Sequence, residues 1–439
     1  MNTYFPSVRK SLLAGVALLA SAPGIASSPC HAQQDIDRPP INYHTAEVAD
    51  PVALLQAALD AGNAKLEWDD QHGWLPSLMK QLDVPESSQT LVFSKTSLQF
   101  AKITPQRPRA LYYNDEVYLG VVQYGDVVEI SAVDPHQGAI FYSLEQKNSD
   151  APKIKRDRGQ CTACHQGHRT QDVPGYLLRS VYPASDGNPI FSLGSTTSDQ
   201  TTDFRQRYGG WYVTGKHGAL RHRGNAIAEN ESAQSLDLEE GANLSDLSSL
   251  ISTQPYLTPH SDLVALMVLD HQSQMHNFIT KANYEARQAN HYDETWNKIL
   301  ERPADYQADV SKRRIIKAGD ALLQYMLFSE EYQLSSPVEG SSSFVEEFQA
   351  LGPRDSQGRS LRDFDLQTRI FKYPCSYLIY SESFDALPSQ LRDYVVTRLG
   401  EVLQGEDTSP EFAHLSAADR TAIREILMET KPSLAEAWK

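Results

Sequence analysis

Cysteine is scarce, with four residues in a chain of 439. That is too few to staple a small disulfide scaffold, and the length points to two or three domains with cores of their own. Positive charge is also in the minority: 40 Lys and Arg stand against 56 Asp and Glu, for a net charge of −16. A general nucleic-acid binder carries a basic surface, so that class is disfavoured. Nowhere does an apolar run approach the eighteen or so residues that a membrane span needs, so no span is expected in the mature chain. The remainder, 40% hydrophobic and 22% charged, is globular and excludes a wholly disordered or collagen-like chain.

Residues 1–32 read as a secretory signal peptide. Arg9 and Lys10 form a positive flank, Ser11 to Leu19 is a short apolar run, and small residues then offer cleavage after Ala26 or after Ala32. A buried N-terminal helix is the competing reading. A lipid anchor at Cys30 is disfavoured, because Ser27-Ser28-Pro29 occupies the place of the expected aliphatic residue. Loss of the leader leaves 38 basic against 56 acidic residues, or −18. An exported, periplasmic, acidic protein is expected.

The hydrophobic pattern predicts an α+β fold: an N-terminal antiparallel β meander, an irregular segment, and a mostly α-helical C-terminal region. Asp50 to Trp68 carries a helical pattern (Leu54, Leu55, Ala58, Leu59). Leu91–Phe93, Ala110–Tyr113, Val117–Val122, Val127–Ile130 and Ala139–Leu144 are β-rich runs separated by the turns Asn114-Asp115, Gly125-Asp126 and Gln137-Gly138. Together 33–150 form a helix plus a β-rich region, and 151–225 a basic, then Gly/Pro-rich, irregular segment. Residues 226–255 read as an acidic linker or loop. Helices dominate 256–439, over Ser261–Arg287, Asp309–Phe328 and Gln390–Leu403, with a capping box at Ser416–Asp419 and a stop at Pro432.

The irregular segment holds Cys161-Thr162-Ala163-Cys164-His165, the C-x-x-C-H signature of c-type haem attachment. Two thiols two residues apart can add to the two vinyl groups of one haem, and the adjacent His is then placed to ligate the iron. Three rivals use the same residues. A thioredoxin-type dithiol expects a βαβ neighbourhood, whereas basic coil surrounds this motif. A zinc site of Cys161, Cys164, His165 and His168 crowds four ligands into eight residues, where structural zinc separates its ligand pairs. A Cys161–Cys164 disulfide is the third. The motif occurs once, so one haem c per chain is expected, with Cys161 and Cys164 as covalent anchors and His165 as proximal ligand.

The iron's second axial position has several candidates. Met267, His271 and Met275 recur at helical spacing, a pattern that a packed core stripe also produces. His217 and His222 lie in the glycine-punctuated segment Trp211–Asn225; His276 points elsewhere on its helix, and His168 is too close to the proximal ligand. Lys153, Lys155, Arg156, Arg158 and Arg169 surround the motif, either to neutralise propionates, to dock an acidic partner, or as a solvated loop. Trp211, Tyr212 and Tyr208 are candidates for lining the haem edge or simply for core. Cys375 reads as a buried thiol, or as a partner for Cys30 if cleavage leaves Cys30 in place.

Pro108–Asp115 (PRALYYND), the C-T-A-C-H site, Gly209–Asn225, Leu266–Asn277 (LMVLDHQSQMHN), Tyr373–Tyr377 and Thr430–Pro432 together resemble a group of bacterial exported c-type cytochrome-domain proteins. The resemblance covers most of the mature chain and implies haem attachment at Cys161, Cys164 and His165. The function expected is a periplasmic mono-haem cytochrome that exchanges electrons with a redox partner protein. The alternative is a haem enzyme of peroxidase or oxygenase type with an open distal iron site, which the size of the chain favours.

Overall fold

The computed structural model describes residues 36–229 and 236–438. The expected signal peptide, with Cys30, lies outside the described residues. Alternation of apolar and polar residues builds β1 (Thr90–Val92), β2 (Arg109–Tyr113), β3 (Val117–Val121), β4 (Val127–Asp134), β5 (Gly138–Glu145) and β6 (Ile154–Arg156). A hairpin of β7 (Leu178–Val181) and β8 (Ser195–Ser198) follows, then β9 (Trp211–Tyr212). Among the described residues β1 to β6 and β9 form one antiparallel sheet in the order β6-β5-β4-β3-β2-β1-β9. The expected meander is therefore present, and β9 closes the far edge by pairing Leu91 with Tyr212 and Val92 with Trp211.

The pleat sends the two sets of side chains to opposite faces. Ala110, Tyr112, Leu119, Ile130, Ile140, Tyr142 and Leu144 pack against α1 (Pro51–Asp60) and α2 (Leu75–Gln81). Asp50 caps α1 through the backbone N–H groups of Val52 and Ala53. The other face carries Arg109, Tyr118, Glu129, Ser131 and Phe141. On that face, between β6 and β7, a single helical turn, α3 (Thr162–His165), carries the C-x-x-C-H residues.

The helical region begins with α4 (Leu263–Ile299), 37 residues long, or about 55 Å at the α-helical rise. It is followed by α5 (Asp309–Met326), α6 (Phe344–Leu351), α7 (Glu382–Asp385), α8 (Ser389–Gln404), α9 (Ala417–Thr430) and α10 (Pro432–Ala437). The Ser416–Asp419 capping box starts α9. Pro432 ends it and also opens α10, because a proline is tolerated in a first helical turn. No helix among the described residues is long and apolar enough to cross a membrane. Where described, the acidic stretch expected as a linker is anchored by Leu247 and Ile251, with Tyr256 just after it, all buried in the sheet's core.

The N-terminal turns of α4 are apolar and buried from Leu263 to Leu269, but Asp270 to Gln274, His276 and Asn277 are buried too. Buried polar groups need partners, and these reach in three directions. Asp270 accepts from Tyr208, and His271 sits between Gln200 and Ser376. Gln272 donates to Asn114 and Tyr118 and accepts from Tyr377. Gln274 and Asn277 reach the segment after α3. At its start, α4 is capped by Asp262, whose other oxygen accepts from the backbone N–H groups of Ser341 and Ser342. Asp262→Ala removes cap and acceptor together, and denaturant unfolding is expected to show a loss of about 2–4 kcal/mol.

A C-x-x-C-H turn held against the sheet

The turn is closed by backbone bonds from Cys164 and His165 to the Cys161 carbonyl, at 3.1 and 2.9 Å. Asp157 holds its start, accepting from the N–H groups of Gly159 and Cys161 at 3.0 and 2.9 Å. Cys164 and Ala163 face solvent, while Cys161 and His165 are half-buried. Cys161 packs against the small cluster of Val133, Ala139, Phe141 and Tyr176, and the His165 ring lies 5.0 Å from that of Phe141.

After His165 the chain loops back. Gln166 bridges to Pro174, Gly175 donates to the His165 carbonyl at 2.8 Å, and the Gly175 carbonyl lies 3.0 Å from His165 Nδ1. A carbonyl only accepts, so Nδ1 carries the proton and Nε2 is left with its lone pair. Burial holds His165 below the usual imidazole range, against that hydrogen bond, so the ring is neutral at pH 7. A metal-ligating histidine ordinarily has this arrangement, with the second nitrogen tied to a carbonyl or carboxylate.

Gly175 is itself clamped. The Asn277 side chain accepts from Tyr176 N–H at 2.9 Å and donates to the Tyr176 carbonyl at 2.7 Å. A Cβ at Gly175 would collide with Asn277 Oδ1. The Tyr176 hydroxyl meets Ser131 on the sheet at 3.1 Å. Sheet, loop and long helix thus fix one imidazole.

The surroundings of the two thiols differ. Burial, followed by the Asp157 carboxylate, pushes the Cys161 thiol up to about 12. Glu129 and Arg109 also act on it; they are paired at 2.5 Å across Gly120, where a Cβ would collide with the guanidinium. Gln99 donates to Glu129 at 3.0 Å, on a segment whose Leu98 and Phe100 are each 55% exposed. Arg179 lies beside Cys164 and 5.0 Å over the ring of Phe191, which is 60% exposed. Leu98, Phe100 and Phe191 are thus large apolar side chains left uncovered.

This geometry bears on the rivals. A thioredoxin-type nucleophile needs a lowered thiol pKa, whereas the Cys161 thiol is raised. Cys161, Cys164 and Cys375 are all free in the structure. Among the described residues no three His, Cys, Asp or Glu side chains gather to hold a metal ion, so the four zinc candidates do not converge. The residues fit a haem c: two unpaired thiols, one of them exposed, a neutral imidazole with Nε2 bare, and apolar side chains to cover. Cys375 is fully buried, and burial pushes its thiol to about 12.

The four distal candidates are buried in or against the large helical core cluster. His271 is enclosed, with Nδ1 2.6 Å from Gln200 and Nε2 2.8 Å from Ser376, and stacks on Phe328. His217 bonds the Leu220 carbonyl through Nδ1 and accepts from Asn243 at Nε2. His222 is buried against His217, Phe204 and Tyr208, and both its ring nitrogens lack partners. Met267 borders a water-sized cavity with Gln200, Arg207 and Glu331. Met275 is core, and His276 bonds the Asp115 carbonyl. Trp211, Tyr212 and Tyr208 are buried, with Trp211 donating to the Arg179 carbonyl. Gly175, Asn277, Phe141 and Arg179 join the site without a sequence signal of their own; only Asn277 stood in a quoted motif. No protein-family model, no curated protein and no solved structure matches the chain.

Burial pushes His222 and His271 down to about 3 and His276 to about 4. All three stay neutral when folded and take up protons on unfolding. The stability they contribute is present above an ordinary imidazole pKa of about 6.5 and is lost as pH falls towards the folded values. Asp270 and Glu331, both pushed up to about 7 by burial, act with opposite sign, favouring the fold as pH falls. Removing one such imidazole isolates its share: His222→Phe should reduce the protons taken up on unfolding at about pH 5 by about one, as potentiometric or calorimetric titration reads it.

Proposed function

We propose that this chain is a periplasmic c-type cytochrome that carries one covalent haem and exchanges electrons with a redox partner. The observation that carries the reading is His165, neutral, with Nδ1 held by the Gly175 carbonyl and Nε2 bare, in one turn with two free thiols. Cys161 and Cys164 would hold the haem through thioether bonds, and His165 Nε2 would ligate its iron. When bound, the haem supplies a one-electron Fe(III)/Fe(II) couple. The chain's own part is to orient the imidazole through Gly175 and Asn277. Phe141 and Phe191 would supply apolar cover, and a drier site resists reorganisation around a change of charge. Export is part of the same proposal, since haem attachment to C-x-x-C-H takes place outside the cytoplasmic membrane.

The purified chain is expected to keep a haem band on a denaturing gel and to give a haem-c reduced spectrum. A Cys161→Ala/Cys164→Ala variant should lose both; retention of covalent haem by that variant would refute the assignment.

A haem enzyme of peroxidase or oxygenase type, with an open distal position, is the second reading. It is favoured by the engagement of both nitrogens in His271 and His217. Carbon monoxide distinguishes the two. A reduced spectrum that shifts readily with the gas is expected of an open iron, and one that does not move excludes the enzyme reading.

A further inference from the structure

The positive charge that clusters along the sequence around the C-x-x-C-H motif separates in three dimensions. The Arg156 guanidinium turns inward to the carbonyls of Tyr43 and Ala46, at 2.6 and 2.9 Å. Lys155 is paired with Glu145 at 2.6 Å. Arg109, from a distant strand, is spent on Glu129. Two arginines that meet at Ser195 keep their charge uncompensated, and one of them, Arg179, acts electrostatically on the exposed Cys164. Arg169, exposed after the turn, and Arg179, half-buried on β7, both reach the Ser195 hydroxyl: Arg169 Nη2 at 3.4 Å, Arg179 Nη2 at 3.2 Å and Nε at 3.4 Å.

Among the described residues neither forms an ion pair with a carboxylate, although the chain holds 56 acidic residues against 40 basic ones. Asp172, three positions beyond Arg169 and exposed, bonds neither. Asp157, the acidic group nearest the turn, is occupied by backbone N–H groups. Two like charges converging on one neutral hydroxyl repel each other, and burial together with the Arg169 charge holds the Arg179 guanidinium below its usual range. Such an arrangement gains when an anion arrives between or above the guanidinium groups. Phe191, 60% exposed beneath Arg179, adds an uncovered aromatic surface of the kind found in interfaces.

We infer that Arg169, Arg179 and Ser195, with Phe191, form the docking face for a partner protein that presents carboxylates beside Cys164. The inference rests on the haem-c reading in taking Cys164 as the exposed edge of the redox group. Charge complementarity names the occupant. On a surface that is acidic overall, a long polyanion such as nucleic acid is repelled outside this spot, whereas a small carboxylate cluster need touch only the two arginines.

The test reads the sign of the local field in the full-length chain. Reduced holoprotein is oxidised by ferricyanide, an anion, and by tris(phenanthroline)cobalt(III), a cation, at about 10 mM ionic strength where screening is weak. Arg169→Gln/Arg179→Gln should slow ferricyanide about tenfold and speed the cobalt reagent, both effects vanishing at high salt. Arg169→Lys/Arg179→Lys, which keeps the charge, should retain most of the ferricyanide rate and so separates charge from fold. Unchanged rates in the Gln variant, or equal changes with both reagents, overturn the docking face while leaving the haem spectrum, and hence the cytochrome reading, intact. If the chain carries no haem, the cytochrome reading fails and the field is read at the exposed Cys164 thiol. The rate ratio of anionic dithionitrobenzoate to neutral dipyridyl disulfide should then drop in the Gln variant, and an unchanged ratio overturns the inference.

Discussion

The two hydrogen bonds between the Asn277 side chain and the backbone of Tyr176 tie the long helix α4 to the loop that orients His165. The C-x-x-C-H turn itself is short and half-exposed, with no core of its own, and a four-residue helix does not hold together alone. Its order is borrowed. Asn277 fixes Tyr176, the preceding Gly175 carbonyl fixes the imidazole, and Ser131 receives the Tyr176 hydroxyl from the sheet side. A buried amide that loses such partners costs about 1–3 kcal/mol per group, so helix and loop hold one another in a single arrangement.

The same helix explains why sheet and helices share one framework. Its middle turns bury polar side chains on every side, and these find partners in different parts of the chain: Tyr118 and Asn114 from the sheet, Tyr208 and Gln200 from the irregular segment, Ser376 and Tyr377 from the C-terminal region. Networks of this kind favour one arrangement over its competitors, because a misplaced partner strands a buried polar atom. The histidines at 217, 271 and 276 belong to this structural use of polarity.

Much of the architecture was legible in the sequence because it rests on local rules. Period-two alternation marked β2 to β5, and the turn residues between them set the meander. Ser416 announced a helix start through its capping box, whereas the cap at Asp50 showed only in the fold. Helical spacing found α4 but could not tell which face meets a cofactor, since all of its faces are buried between Leu263 and Asn277. The two-residue strand β9 was hidden in a glycine-rich stretch, because its pairing with β1 is set by contact 120 residues away rather than by its own pattern.

The C-x-x-C-H motif was readable from the sequence alone because it is local: two thiols and an imidazole within five residues need no tertiary context to be recognised. Tertiary structure alone decided which nitrogen of His165 is free, since Gly175 lies ten residues on and its carbonyl is placed by a helix a hundred residues further. It also decided which charges remain. Lys155, Arg156 and Arg169 are equivalent basic residues in the sequence, but only packing brings Glu145 to the first, carbonyls to the second, and another arginine to the third. Covalent chemistry depends on residue type and spacing, whereas hydrogen-bond and charge compensation depend on distances that only the folded chain sets.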